Sequence, residues 1–332
     1  MRMREVRPLR CVVPAAILLL WLVIASLSCR KTETTAGAPS ASASISLPAP
    51  LPPPASSASA EPAASPAFLW RFDGSAPRYL FGSIHVPDPR LAPIEARMRD
   101  LAASSDLVLT EIPMDPATQV RMSPLLMLPK GKTLKDVVPA DVHARVERAF
   151  VSRGLPFGPL STLKPWVIGA QVALIDRLLV MATREPLDAV IFNAAKAAEG
   201  LETPEEQVAG LDSLTRAEQT HLLASTLDLL DKYRKEGLDP VEQLLAPYVD
   251  GDALRLYAAV RESYDPSNPV DAKVVKRLFD DRNVRFAQRI DARLRREEGK
   301  SIVVAIGAGH LIGPGSVVEL LGKKGWKLER VR

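Results

Sequence analysis

At 332 residues, with 47% hydrophobic and 25% charged residues, the chain has the composition of a globular protein able to bury a substantial core. Its formal charge of +4 gathers at the start, where Arg2, Arg4, Arg7 and Arg10 face a single acid, Glu5. Beyond residue 28 there remain 39 basic and 38 acidic residues, a balance that excludes the basic footprint of a nucleic-acid binder.

The arginines precede an uncharged run of 19 residues, Cys11 to Cys29, with AAILLLWLVIASL at its heart. A charged segment, an apolar segment and then small residues is the order of a secretory signal, so residues 1–28 are expected to direct export. Ser28-Cys29 resembles the end of a bacterial lipobox, in which Cys29 carries lipid and becomes the first mature residue. Such boxes usually hold Leu where Ser26 stands; here Leu27 comes one step late. Arg30, where Asp would retain a lipoprotein at the inner membrane, resembles the forms sent to the outer membrane. The alternative is an uncleaved anchor, since a run of this length just spans a bilayer. Either way the body is expected outside the cytoplasm, in the cell envelope. With both cysteines in this region, the folded part has no disulfide and no thiol nucleophile. Residues 29–66 are rich in Pro, Ala and Ser and have no aromatic side chain. They cannot bury enough surface to offset ordering, so they are expected to be a disordered tether spanning at most about 3 Å per residue.

The body, residues 67–332, opens with two strand-type runs, Ala67 to Phe72 and Arg78 to Ile84, joined through DGSAP. Leu91, Ile94, Met98 and Leu101 have helical spacing, and DLVLTEI from Asp106 to Ile112 reads as a third strand. A helix between strands implies a parallel crossover. From about residue 116 to 295 the pattern is almost wholly helical. Helices are expected over Ala140 to Arg153, Leu163 to Met181, Pro186 to Ala198, Arg216 to Lys235, Val241 to Leu245, Ala253 to Ser263 and Asp271 to Arg295. A second αβ unit closes the chain: an apolar strand from Ser301 to Ile306, the loop GAGHLIGPG, a helix from Ser316 to Leu321 and a strand from Trp326 to Val331. The expected fold class is one α/β domain, its mixed sheet assembled from both ends and carrying a large helical insertion.

Two of the four histidines end strand-type runs in the same frame: Gly82-Ser83-Ile84-His85 and Gly307-Ala308-Gly309-His310. Ligands bind beyond the carboxyl ends of strands in open sheets, and Glu111 stands at a third such end. Two imidazoles and a carboxylate make a three-ligand set that leaves a position for water. A divalent metal there would lower the pKa of its water. Gly82 is expected to let the backbone approach a ligand, and Gly307 and Gly309 to take positive φ. The N–H groups of GAGH offer a place for an oxyanion. A single histidine at a strand end is more often a structural hydrogen-bonding residue. The shared frame, with Glu111, turns the reading toward a site. GAGHLIG lacks the spacing of a dinucleotide loop, and no G-x-S-x-G elbow is present. His143 and His221 lie in helical patterns without an assigned role. Arg282 and Asn283, among many arginines, read by themselves as a solvated helix face, and Glu205-Glu206-Gln207 as the first turn of a helix after Pro204.

In order, LWRFDGSAPRYLFGSIHVPD, TEIPMD, GLETPEEQ, YVDGD, DDRN and VVAIGAGHLIGPGSVVELLGKKGWKLERV resemble the TraB/GumN family, which includes TIKI-type metalloproteases. The resemblance covers nearly all of residues 69–331, and its most specific parts are the paired G-x-x-H motifs and GAGHLIG. It implies a fold related to erythromycin-esterase and ChaN-like proteins, with a cleft between two β-rich halves. It implies that His85, Glu111 and His310 are catalytic and hold a divalent metal, with manganese or cobalt favoured over a tight zinc site. Gly82, Ser83, Arg282, Asn283 and Gly309 would then bind substrate, a peptide or protein. Glu202 and Gln207 fall on the family's LET-x-x-Q region. AAEGLET is compressed relative to the family, which puts one short strand in doubt, and Ser83 replaces the usual Thr. A non-catalytic envelope lipoprotein holding haem or a peptide in the same cleft is the alternative reading.

Overall fold

The computed structural model describes residues 68–261 and 264–331. The expected export signal, Cys29 and the tether lie outside the described residues. Among the described residues, no single helix is long and apolar enough to cross a membrane.

The amino-terminal unit holds β1 (Leu69–Phe72), β2 (Arg78–Ser83), α1 (Ala92–Ser104) and β3 (Leu107–Thr110). The helical middle follows with α2 (Pro116–Leu126), α3 (Ala140–Val151), α4 (Pro165–Ala173), α5 (Leu178–Thr183) and α6 (Leu187–Ala194). A short strand, β4 (Ala198–Gly200), interrupts it before α7 (Pro204–Asp212), α8 (Arg216–Glu236), α9 (Glu242–Val249), α10 (Ala253–Arg261) and α11 (Pro269–Val275). A π-helical turn, Lys276–Asp280, leads directly into α12 (Asp281–Arg296). The carboxyl-terminal unit is β5 (Ile302–Gly307), α13 (Val317–Lys323) and β6 (Leu328–Arg330).

All six strands form one sheet in the order β4-β3-β5-β2-β1-β6. Strands β4, β3, β5 and β2 run parallel, while β1 is antiparallel to both β2 and β6. The parallel strands β3 and β5 are buried along their whole length, as continuous apolar runs require when helices cover both faces. The mixed α/β class and the assembly from both chain ends are as expected. The two β-rich halves implied by the family resemblance are not: β5 enters between β2 and β3 and pairs with both, so the sheet is continuous. The β2-α1-β3 crossover is parallel, but its strands are not neighbours.

Several boundaries differ from the periodicity for identifiable reasons. The run expected from Leu163 to Met181 breaks after α4, where Leu174 adopts φ −111° and ψ 14° and a 3₁₀ turn follows. The helix expected from Pro186 ends at Ala194, because Val108 N–H donates to the carbonyl of Ala197 and the chain becomes β4. The strand that the compressed AAEGLET put in doubt is therefore present. Gly200 has its own reason to lack a side chain, since a Cβ would stand 2.3 Å from Cδ of Pro113 and 2.6 Å from its nitrogen. The helix start expected at Pro204 is confirmed by a capping box between Thr203 and Glu206.

Two large apolar masses and a smaller one around Leu174 and Tyr233 hold the layers together. One lies against the sheet, where α1, α6, α12 and α13 cover Val108, Ile302, Val303, Val304 and Ile306. The other fills the helical middle around Phe150, Trp166, Val167 and Leu223. Each fully buried aliphatic or aromatic side chain contributes about 1.5–3 kcal/mol.

Candidate functional site

The carboxyl ends of the parallel strands meet at one edge, and register brings the three expected residues to it. Ser83 of β2 lies level with Gly307 of β5, and Thr110 of β3 level with Ala305. His85, Glu111 and His310 each follow one of these ends, and all three are buried, at 6%, 3% and 0% exposure.

Glu111 is ionised and doubly held. Its Oε1 accepts the Gly307 N–H at 2.7 Å, and its Oε2 accepts from Arg282 Nη2 at 2.6 Å. Burial pushes the carboxyl pKa up, but Arg282, then His310 and His85, and the Gly307 N–H bring it down to about 2. The N–H offered by GAGH for an oxyanion is thus taken, at Gly307, by this carboxylate.

His310 lies between the rings of Phe279 and Phe286, with centroids 5.4 and 5.2 Å away. Asn283 Nδ2 donates to the carbonyl of Gly315, which turns its Oδ1 toward His310 Nδ1 at 2.7 Å. Nδ1 therefore carries the proton and Nε2 the lone pair. Nε2 stands 3.5 Å from Arg282 Nη1 and 3.9 Å from Glu111 Oε1. Burial, with Arg282 and His85, lowers the imidazole pKa to about 3 against the pull of Glu111. His310 is neutral.

His85 is its opposite. Burial would lower its pKa, but the charge and hydrogen bond of Asp188, aided by Glu111, raise it to about 9. Nδ1 lies 2.7 Å from Asp188 Oδ2, and Nε2 is buried with no protein partner. Two histidines in the same motif are thus driven to opposite charge states, one by a carboxylate partner and one by burial beside Arg282.

Arg282, only 1% exposed, is the centre of the arrangement. Beside Glu111 it grips Glu202 Oε2 through Nε at 3.0 Å and Nη2 at 2.8 Å, while its guanidinium lies 4.9 Å from the Phe286 ring centre. Arg285 holds the other oxygen of Glu202 at 2.8 and 2.6 Å. The reading of Arg282-Asn283 as a solvated helix face is overturned. Apolar Phe286, Ala287, Ile290 and Leu294 continue the same face of α12, so that face is core. The π turn before it inserts extra backbone and sets the phase at which Arg282 and Asn283 enter the site.

The glycines act otherwise than expected. Neither Gly307 nor Gly309 has positive φ; Gly313 and Gly315 do. A Cβ on Gly82 would stand 3.0 Å from Ala308 Cα and from Phe68 Cβ, so its absence admits protein, not ligand. The missing side chain of Gly309 faces Phe279 and Val260. The Ser83 hydroxyl donates to Asp188 Oδ1. His143 rests edge-on to Phe157, and His221 accompanies Asn268, away from the site. Sequence reasoning missed Asp188 and Tyr248, whose hydroxyl donates to the Gly82 carbonyl at 2.8 Å. Asp188 did leave a signal as the one charge in the apolar helix LDAVIFNA.

For a divalent cation, both Nε2 atoms are suitable donors, each on a ring anchored at Nδ1 as ligating histidines usually are. Glu111 stands beside them but is committed to Arg282 and Gly307. Among the described residues, no group of three His, Cys, Asp or Glu side chains is already arranged around a cation position. The two imidazoles are donors of the kind a divalent cation takes, while Glu111 would have to give up Arg282 or Gly307 to join them.

The profile of the TraB/PrgY/gumN family matches residues 68–330. The chain belongs to that family. Among family relatives, the Metalloprotease TIKI homolog of Amphimedon queenslandica is 25% identical over 317 residues, 81% of this chain and 62% of that protein. Metalloprotease TIKI1 of Homo sapiens is 25% identical over 310 residues, 79% of this chain and 61% of its own length. Metalloprotease TIKI2 of Xenopus tropicalis is 26% identical over 316 residues, covering 79% and 59%. The chain thus spans about three fifths of the length of these relatives. No solved structure matches it.

Proposed function

We propose that this TraB-family chain is a divalent-metal-dependent hydrolase of peptide bonds, working through His85, Glu111 and His310. The observation that carries the reading is the convergence of two anchored imidazoles and an ionised carboxylate, with His85 Nε2 buried and unpartnered. The TIKI relatives, named as metalloproteases, support the reaction class.

A bound cation would supply Lewis-acid polarisation of a scissile carbonyl and of water. The protein's own part is orientation and proton management. Asn283 keeps the lone pair of His310 on Nε2, where it is available to a cation. His85 holds a proton on Nε2 at neutral pH without a cation, so cation uptake at this ring releases one proton and tightens as pH rises. Arg282 keeps Glu111 ionised, and burial of all three groups keeps bulk water out.

The test is cleavage of a quenched fluorescent peptide library by the purified chain, after EDTA and after restoring Mn²⁺, Co²⁺ or Zn²⁺. Turnover should vanish with EDTA, return with a cation, and fall at least about 10³-fold in His85→Ala and His310→Ala. Undiminished turnover in EDTA, or in both variants, would sink the proposal. Haem absorbance without cleavage would favour the binding reading instead.

We further propose that the domain works in the cell envelope, held to the outer membrane by lipid on Cys29 and the stretch to residue 66. Cells fed a labelled fatty acid should label the parent but not Cys29→Ala. Equal labelling of the two would remove the lipid anchor.

A further inference from the structure

Asp188 stands in the first turn of α6, 1% exposed, and spends its whole carboxylate on the end of β2. One oxygen accepts the Ser83 hydroxyl and the other meets His85 Nδ1. These are the second and fourth residues of a single G-x-x-H motif, two apart on the chain. A lone carboxylate against a histidine can swing about its own torsion, and a free imidazole can flip its ring and exchange tautomers. Here Ser83 pins one oxygen, which leaves the other fixed on the ring. Tyr248 adds a further brace, because its hydroxyl holds the carbonyl of Gly82 next in the chain.

His310 is built on the same plan with different chemistry. A helix residue, Asn283, meets Nδ1, and a backbone carbonyl, that of Gly315, pins the partner's other end. Each motif histidine is therefore anchored at Nδ1 by a side chain that is itself held in place. In both cases the nitrogen turned away from the anchor is Nε2: that of His85 has no protein partner, that of His310 faces Arg282 Nη1 at 3.5 Å, and both rings lie in the field of Glu111. The repetition of one device at two sites, with unrelated partners, separates it from simple satisfaction of a buried polar group.

We propose that Asp188 is the positioning residue of the site, fixing the His85 ring so that Nε2 alone is presented to cation and substrate. What Nε2 meets rests on the metal-dependent reading above; the anchoring of the ring does not. Ser83, expected to bind substrate, serves in this arrangement as the clamp on the carboxylate.

Two readouts on the full chain separate these claims. The first is ¹⁵N-histidine NMR, in which a ring anchored on a carboxylate gives a downfield, exchange-protected Nδ1–H resonance. The parent should show it for His85, Ser83→Ala should weaken its exchange protection, Asp188→Ala should lose it, and Asp188→Asn, which still offers an oxygen, should recover it. The second is titration with Co²⁺ alone, read from visible absorption, where Asp188→Ala should bind at least about tenfold more weakly than the parent. If the alanine variant does not fold, Asp188→Ser, polar but too short to reach the ring, replaces it with the same expectation. Retention of the Nδ1–H resonance in the alanine or serine variant overturns the assignment, as does equal loss in Asp188→Asn. A parent that takes up no Co²⁺ refutes the metal reading while the resonance still decides the role of Asp188.

Discussion

Arg282→Met should lower the folding stability of the domain by about 3–5 kcal/mol, the largest single-residue loss expected in the site. Methionine fills much of the volume, so the cost is electrostatic. Without the guanidinium, Glu111 and Glu202 face each other as buried carboxylates, and only Arg285 and the Gly307 N–H remain to hold them. Arg282→Lys should recover only part of the loss, because one ammonium cannot reproduce a fork shared between two carboxylates. Arg285→Ala should cost less, since its side chain is 31% exposed and Glu202 keeps both of its bonds from Arg282. Urea unfolding followed by circular dichroism measures all three. A loss below about 1 kcal/mol for Arg282→Met would mean that the network is not integral to the fold.

Stability of the metal-free protein should peak near pH 6.5 and fall on both sides. The alkaline limb belongs to His85. Its folded pKa of about 9 lies above the ordinary 6.5, so the folded state binds the extra proton between these values. Its contribution, about 3 kcal/mol, is complete below pH 6.5 and disappears as pH rises through 9. The acid limb belongs first to His310, whose pKa falls from 6.5 to about 3. There the unfolded state binds the extra proton, so about 5 kcal/mol present above pH 6.5 is lost progressively down to pH 3. Glu111, lowered from 4.5 to about 2, steepens the same limb below pH 4.5. Urea midpoints in EDTA between pH 4 and 9 should trace this peak. His85→Gln should flatten the alkaline limb and His310→Gln the acid limb. A parent profile that is level from pH 5 to 9 would contradict the opposed charge states of the two rings.

Together these effects give the site an unusual economy. The two G-x-x-H histidines are equivalent in sequence, yet one receives a carboxylate and the other an amide. That choice is made by Asp188 on α6, 103 residues from His85, and by Asn283 on α12, 27 residues from His310. Arg282 then supplies the counter-charge that lets Glu111 remain ionised between them.

The sequence by itself determined the α/β class, the strand before each G-x-x-H histidine, and the position of His85, Glu111 and His310 at strand ends. These rest on local signals: apolar runs that form strands, turns that end them, and polar residues at the ends. The tertiary structure alone decided that β5 enters between β2 and β3, since strand order depends on pairing between segments some 200 residues apart. It alone revealed what surrounds the site. Arg282 meets Glu111 across 171 residues and Glu202 across 80, and Asp188 meets His85 across 103. No periodicity records such distances. An arginine on a charged helix looks solvated in sequence, whereas the π turn and the packing of α12 decide which of its arginines faces inward. Charge states were likewise beyond the sequence, because a pKa follows from burial and neighbours, and both exist only once the chain has folded.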